Sequence, residues 1–382
     1  MNILFYLYRY PAFGGIESVT KLITEKLADS YHFKITILSY TKQDSFTTLD
    51  NIILKTMPNP ENWDSKENFI FAEKIIQNNK FDAIVFQDNY LNIEKIICEL
   101  AKKYKIPIYT FEHSTPLIAF KTNFKASFFS LIGLRKRIGA IIYIFRSIRR
   151  RRYLLKNSKK YILLSAKFIP EFAKSALVSS KNKKLTYINN PITPNNDTDN
   201  YIKENIILCV CQLVPLKSVD LMIDLWFKIH TKLPNWKFQI VGDGSERITL
   251  ENKVKNLNLP RVEFIGYSDP TNYYKHAKIF WMMSRFEGWG MTLVEAQQHG
   301  CIPIAYKSYS SIPDIIEDSK NGFIIKDLDE QSFVDKTLFL ANHEQERKQM
   351  EVAAKDSANR FDINKIITNW LKLIEENNRT SN

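Results

Sequence analysis

With 382 residues, 45% of them hydrophobic and 25% charged, the chain has globular composition and is too long for one ordinary core, so two domains are expected. Its four cysteines lie far apart except for the C-x-C of Cys209 and Cys211, which excludes a disulfide framework and a zinc spacing and points to a reducing compartment. The net charge of +13 is localised: from His113 to Pro170 there are 14 Lys and Arg and no Asp or Glu, and the remainder carries 40 basic against 41 acidic residues. No uncharged apolar run reaches the ~18–20 residues that cross a bilayer. The opening "MNILFYLYRYP" lacks a basic leader and a small-residue cleavage site and reads as a buried strand.

In chain order, "NILFYLY", "KITILSY", "NIILKTM", "DAIVFQD", "IPIYTFE", "KKYILLS" and "KKLTYIN" read as strands. Helical stretches such as "GIESVTKLITEKLAD" and "NFIFAEKIIQNNK" separate several of them. Continuous apolar strands alternating with helices predict a parallel sheet covered on both faces. The Asn- and Pro-rich "NNPITPNNDTDN" (Asn189 to Asn200) then reads as a linker. Beyond it the pattern restarts with "NIILCVC", "KFQIVG", "VEFIG", "IFWMM", "IPIAY" and "GFII", and a last amphipathic helix, "FDINKIITNWLKLIEENN", follows. The expected boundaries are a first Rossmann-like domain over 1–192, a second over 200–360, and a C-terminal helix over 361–382 returning to the first domain. In such folds ligands gather at the carboxyl ends of the strands.

Two glutamates frame the most informative stretch, "SRFEGWGMTLVEAQQHG" (Ser284 to Gly300). The backbone N–H groups around Gly290, Met291 and Thr292 open a helix and are ready donors for an anion. Glu295 lies about a turn inside that helix, within reach of ribose hydroxyls, and Glu287 precedes the glycine turn, where a sugar would lie. Gly14 and Gly15 follow the first strand and open a helix, and His113 ends a strand in "FEHSTP".

"SRFEGWGMTLVEAQQHGCIPIAY" resembles the signature of glycosyltransferase family 4, retaining enzymes of the GT-B fold that use nucleotide-sugar donors. "QIVGDGSER", "VEFIGYSDPTNYYKHAKIFWMMS", "SSIPDIIEDSKNGFII", "FGGIESV", "ILLSAKF" and "INNPI" fit the family in order, so the resemblance spans nearly the whole chain. It implies an α/β architecture of two Rossmann-like domains facing across a deep cleft, with the C-terminal helix packed back on the first. It assigns Glu287 to the donor sugar, Glu295 to the ribose and Lys217 to the diphosphate. Gly242, Asp243 and Gly244 correspond to the family's glycine turn. Gly14 and Gly15 correspond to its first glycine loop, and His113 to the contact near the reacting carbon. Where the family has Gly-Arg, this chain has Cys211-Gln212: a bidentate phosphate partner is replaced by a neutral donor, with Arg285 and Arg247 as candidate replacements.

The segment 121–160 places Leu134, Ile138, Ile141, Ile142, Phe145 and Ile148 on one helical face, and Arg135, Lys136, Arg146, Arg150 and Arg151 largely on the other. With Arg149 and Arg152, these form a basic amphipathic helix suited to an anionic membrane interface. A nucleic-acid partner would leave the apolar face without a use.

The expected function is transfer of a hexose or N-acetylhexosamine from a nucleotide-sugar, UDP-linked, to a hydroxyl of a lipid-linked or oligosaccharide acceptor in polysaccharide or glycan biosynthesis. The protein would be cytoplasmic and peripheral on the inner membrane face. Neither a cofactor nor a metal is expected, because cationic groups take the metal's place. The rival readings are a nucleotide-sugar epimerase on the same scaffold and a non-catalytic sugar-nucleotide-binding partner of another transferase.

Overall fold

The computed structural model describes residues 1–12, 14–42, 51–87, 94–116, 131–195 and 201–375, with the side chains of 131–138 and 140 left aside. The chain divides into two compact units, Met1–Pro191 with Ile363–Asn382, and Ile192–Asp362.

In the first unit, β1 (Asn2–Arg9), β2 (Lys34–Thr41), β3 (Ile52–Thr56), β4 (Ala83–Phe86), β5 (Ile108–Glu112), β6 (Lys160–Leu163) and β7 (Leu185–Tyr187) form one sheet in the order β3-β2-β1-β4-β5-β6-β7. Every pairing is parallel, with Ile3 opposite Ile35 and Ala83, and Thr110 opposite Phe86 and Tyr161. Parallel neighbours require crossovers, which α1 (Gly15–Tyr31), α2 (Lys66–Asn79), α3 (Glu94–Lys103), α4 (Leu131–Asn157) and α5 (Phe168–Ala176) supply. All of β4 and β5 is buried, so both faces of the sheet centre are covered.

The second unit repeats the plan. Its sheet runs β10 (Val262–Gly266), β9 (Lys237–Val241), β8 (Glu204–Val210), β11 (Ala277–Met282), β12 (Ile302–Tyr306) and β13 (Phe323–Ile325), again all parallel. Its helices are α6 (Val219–Ile229), α7 (Arg247–Asn256), α8 (Thr271–His276), α9 (Met291–Gln298), α10 (Ile312–Ile315), α11 (Glu330–Asn342) and α12 (Glu344–Ala358). Trp226, Phe238, Trp281 and Phe333 centre the core of this unit.

The last helix, α13 (Ile363–Glu375), belongs to the first unit. Its apolar stripe at i, i+3, i+4 spacing buries Ile363, Ile366, Ile367 and Trp370. The Trp370 ring stacks on Phe111 of β5 with centroids 4.2 Å apart and 6° between planes, and on Phe5 of β1 at 6.1 Å. The expected return of this helix to the first domain is observed. So is the expected α/β architecture of two Rossmann-like parallel sheets.

The basic segment differs from its expected form. Residues 121–130 and the side chains of Leu134, Arg135, Lys136 and Ile138 lie outside the described ones. Within α4, Ile141, Ile142 and Phe145 of the expected apolar face are 48%, 46% and 63% exposed. Arg149 and Arg152 stand four and seven residues beyond Phe145, hence on the same face, and they and Arg146 are exposed too. The inward face carries Arg151, Leu154 and Leu155. Arg151 is therefore no surface residue. Its guanidinium grips the Glu112 carboxylate, with Nε at 3.1 Å from Oε1, and Nη1 donates to Pro116 O at 2.9 Å and Ser175 Oγ at 3.0 Å. Tyr161 donates its hydroxyl to the other Glu112 oxygen at 2.6 Å. Arg150 also turns inward, with Nε 3.5 Å from the buried Glu94. The spacing misassigned these two arginines because it distinguishes faces without showing which face meets the sheet, and buried carboxylates on β5 and α3 attract guanidinium groups that apolar periodicity ignores.

Candidate functional site

In the second unit the site forms at the carboxyl ends of β8, β9 and β11. Past β8, a short 3₁₀ turn (Pro215–Lys217) presents Lys217, and past β11 the loop Ser284–Gly290 presents Glu287. The Lys217 ammonium donates to Glu287 Oε1, a contact between residues 70 apart in the chain. The two loops are tied beneath it, Arg285 N–H to Leu216 O at 2.9 Å and Arg285 Nε to Ser218 Oγ at 3.2 Å. Arg285 thus stands beside Lys217 with its side chain exposed. Arg247, the other candidate replacement for the missing arginine, is engaged by Asp243 at 3.0 Å and Glu251 at 2.8 Å.

Gly290 caps α9 in the left-handed region at φ 95°, and a Cβ there would meet the Tyr309 hydroxyl at 2.5 Å. Only glycine suits that turn. The N–H groups of Met291 and Thr292 head the helix without intrahelical acceptors, while Leu293 N–H returns to Gly290 O at 3.0 Å. Burial and the nearby Glu287 charge push the Tyr309 phenol well above its ordinary pKa, which keeps it a neutral donor.

Gly242 and Gly244 have a packing reason for being glycine. A Cβ on either would run into the backbone of the Cys211–Leu213 loop, and Gly242 has φ +137°. The loops interlock through Cys211 N–H to Val241 O at 3.1 Å and Leu213 N–H to Asp243 O at 2.9 Å. This geometry fixes Gln212 on the rim, with its side chain exposed. Asp243 is held below the usual carboxylate range first by the Gly244 N–H and then by Arg247.

Glu295 sits in the second turn of α9. Burial raises its carboxyl pKa, opposed by a hydrogen bond from the Tyr274 hydroxyl at 3.0 Å. Tyr274, 1% exposed, carries no sequence signal as a site residue, because a contact between α8 and α9 has no characteristic spacing.

In the first unit, His113 directly follows β5 and its Nε2 pairs with Oε1 of Gln87, which directly follows β4, at 2.7 Å. Burial lowers the His113 pKa to about 4, so the ring is neutral at physiological pH. Gln87, wholly buried, went unnoticed in the sequence. Gly14 and Gly15 are exposed at the start of α1, where Glu17 folds back over Gly14 and a Cβ on Gly15 would meet nothing within 4 Å.

Residues 195–357 match the family model described as glycosyl transferases group 1. The matched stretch falls within the second unit, which is therefore similar to group 1 glycosyltransferases. Over 378 residues, 95% of each chain, the sequence is 25% identical to a Campylobacter jejuni alpha-1,4-N-acetyl-D-galactosaminyltransferase named for a GalNAc-containing undecaprenol diphosphate glycan. An uncharacterized glycosyltransferase of Methanocaldococcus jannaschii is 24% identical over 388 residues, 98% of each chain. Among solved structures, Anabaena HepE in complex with UDP and glucose superposes with a TM-score of 0.76 at 16% identity, covering 98% of this chain and 100% of that one. The TarM crystal structure gives 0.76 at 13% identity and 98% of each chain. These likenesses establish the GT-B fold. Within the second unit, the structure brings together Lys217, Glu287 and the head of α9. His113, Gly14 and Gly15 belong to the other unit. Among the described residues no His, Cys, Asp and Glu group forms a metal cluster, and no helix is long and apolar enough to cross a membrane.

Proposed function

We propose that the protein is a retaining glycosyltransferase that moves a hexose or N-acetylhexosamine from a UDP-sugar to a hydroxyl of a lipid-linked glycan at the inner face of a membrane. The observation that carries the reading is the direct meeting of Lys217 with Glu287 next to the open N–H groups of α9. It puts a mobile cation, a sugar-hydroxyl acceptor and a helix anion site in one place. The UDP complexes of HepE support the donor, and the C. jejuni relative's undecaprenol diphosphate glycan supports the acceptor.

In this mechanism the donor diphosphate takes the Lys217 ammonium from Glu287. That frees the carboxylate to bind sugar hydroxyls. As the sugar C1–phosphate bond breaks, the leaving diphosphate gains charge, which Lys217, the α9 amides and Arg285 stabilise. The acceptor oxygen attacks C1 from the same face, and its proton passes to the departing diphosphate. Configuration is retained without a protein nucleophile. Cationic groups carry the role of a divalent ion, so chelators leave the rate unchanged.

The exposed face of α4 supports membrane attachment. A groove of about 1090 Å³ there is lined by Tyr143, Phe145, Arg146, Arg149 and Arg152, which combines apolar insertion with attraction to anionic headgroups. The test is a screen of UDP-sugars with membrane extract as acceptor source, reading released UDP. Glu287→Ala abolishes transfer on this reading. Unchanged transfer in that variant overturns the site, and an epimer formed from UDP-sugar alone overturns transfer in favour of isomerisation. Flotation with anionic vesicles tests attachment: changing Arg146, Arg149 and Arg152 to Ser removes about 1 kcal/mol each, and undiminished flotation sinks the membrane role.

A further inference from the structure

Resting on the reading of Glu295 as the ribose contact, we propose that Tyr274 is a positioning residue for nucleotide binding: its phenol holds one Glu295 oxygen so that the other is presented to the ribose hydroxyls. The Tyr274 hydroxyl donates to Glu295 Oε2 at 3.0 Å, and among the described residues no Lys or Arg is paired with that carboxylate. Its orientation therefore depends on this phenol.

The phenol itself cannot swing away. Its ring lies against His299 with centroids 5.8 Å apart and planes 17° from parallel. His299 caps the C-terminus of α9 one turn beyond Glu295, and its Nδ1 lies 2.9 Å from the Glu295 carbonyl oxygen. The Tyr274 carbonyl is anchored in turn, accepting from Lys203 Nζ at 2.9 Å and from Cys301 Sγ at 3.0 Å. Tyrosine, carboxylate and histidine form one packed unit joining α8 to α9. A carboxylate without such a brace would sample several rotamers and lose entropy on gripping two vicinal hydroxyls. Burial raises the Glu295 pKa, and the hydrogen bond from Tyr274 partly offsets that rise. Binding to a pre-set acceptor is the gain expected of preorganisation.

The test is calorimetric titration of wild type and Tyr274→Phe with uridine diphosphate and 2′,3′-dideoxyuridine diphosphate, with the guanosine and adenosine pairs run in parallel. Wild type binds the ribose form of its preferred base more tightly than the dideoxy form. Tyr274→Phe keeps the ring and its packing, weakens the ribose form about tenfold, and binds the dideoxy form as wild type does. Donor KM rises by the same factor with kcat little changed. Equal weakening of both ligands would show a merely structural tyrosine and overturn the proposal, as would no weakening at all. A wild type that binds both forms equally, or binds no nucleoside diphosphate, overturns the Glu295 reading and this proposal with it. Glu295→Ala is expected to erase the preference for ribose, and Tyr274→Phe added to it has no further effect.

Discussion

Two ion pairs at strand ends, one in each unit, differ in burial, and that difference separates a brace from the pair proposed to meet the donor. Arg151 and Glu112 are 9% and 2% exposed at the side chain, and the guanidinium is further used by Pro116 O and Ser175 Oγ while Tyr161 takes the second carboxylate oxygen. Lys217 and Glu287 keep 20% and 16% exposure, and an ammonium on a four-carbon stem meets its partner at the mouth of two loops. The first pair is saturated and can only be broken. The second is open to solvent on one side and can exchange its partner for a ligand. On the proposed function, identical charges thus serve as scaffold in one place and as site in the other, and the difference is how deeply each pair is buried.

Breaking the brace gives the largest effect. Arg151→Met leaves Glu112 charged and buried, and is expected to cost ~3–5 kcal/mol of stability in urea unfolding. Combining it with Glu112→Leu and Tyr161→Phe recovers most of that loss, since no charge is then stranded. A single Arg151→Met variant as stable as wild type would erase the contrast between the pairs.

Lys217→Ala gives the reverse profile. Transfer falls by roughly 10²–10³ in kcat/KM, while unfolding free energy changes by less than about 1 kcal/mol. A large stability loss here would make Lys217 a second brace.

Next in size is Gly242→Ala. At φ +137° with the Cys211 carbonyl in the way, it should cost about 1–3 kcal/mol and raise donor KM, because the loop carrying Gln212 and leading to Lys217 must shift. Wild-type donor KM in a destabilised variant would separate that loop from the donor site.

At neutral pH the last effect vanishes, since it is a pH dependence beside the brace. His113 follows Glu112, the last residue of β5, and burial holds its folded pKa at about 4 against an ordinary 6.5. The unfolded chain takes up a proton as pH falls below about 6.5 and the native chain does not. Wild type therefore loses stability between about pH 6.5 and pH 4, and above that window the group contributes no slope. His113→Gln should flatten this part of the profile, measured by denaturant midpoints at pH 7, 5.5 and 4.5. An unchanged slope would mean that the ring charges in the native state.

The strands were legible because each is a short apolar run between turn residues: "DAIVFQD" contains β4 and "VEFIG" is β10. The Ser284–Gly300 block was legible for a different reason, since its glycine turn and helix start are local. Its partner Lys217 came through family resemblance, and the contact with Glu287 spans 70 residues, which no local pattern encodes. Helix α4 was legible as a helix, and among its described side chains Arg150 and Arg151 were placed on the wrong face. A wheel orders residues by angle and carries no mark of the side that meets the sheet. The buried acceptors that draw Arg150 and Arg151 inward, Glu94 and Glu112, lie on separate elements upstream.

By itself, then, the sequence determined two parallel βαβ arrays, the returning helix and the glycine-framed carboxylates, because hydrophobic period, turn chemistry and helix starts act over a few residues. Only the tertiary structure decided which charges were buried as scaffold and which kept contact with solvent. It turned Arg151 inward and Arg149 outward two residues apart, set Tyr274 against Glu295, and filled the space beside Gly242 with the Cys211 backbone. Those outcomes depend on desolvation and on partners brought from distant strands, and both exist only once the sheets have closed.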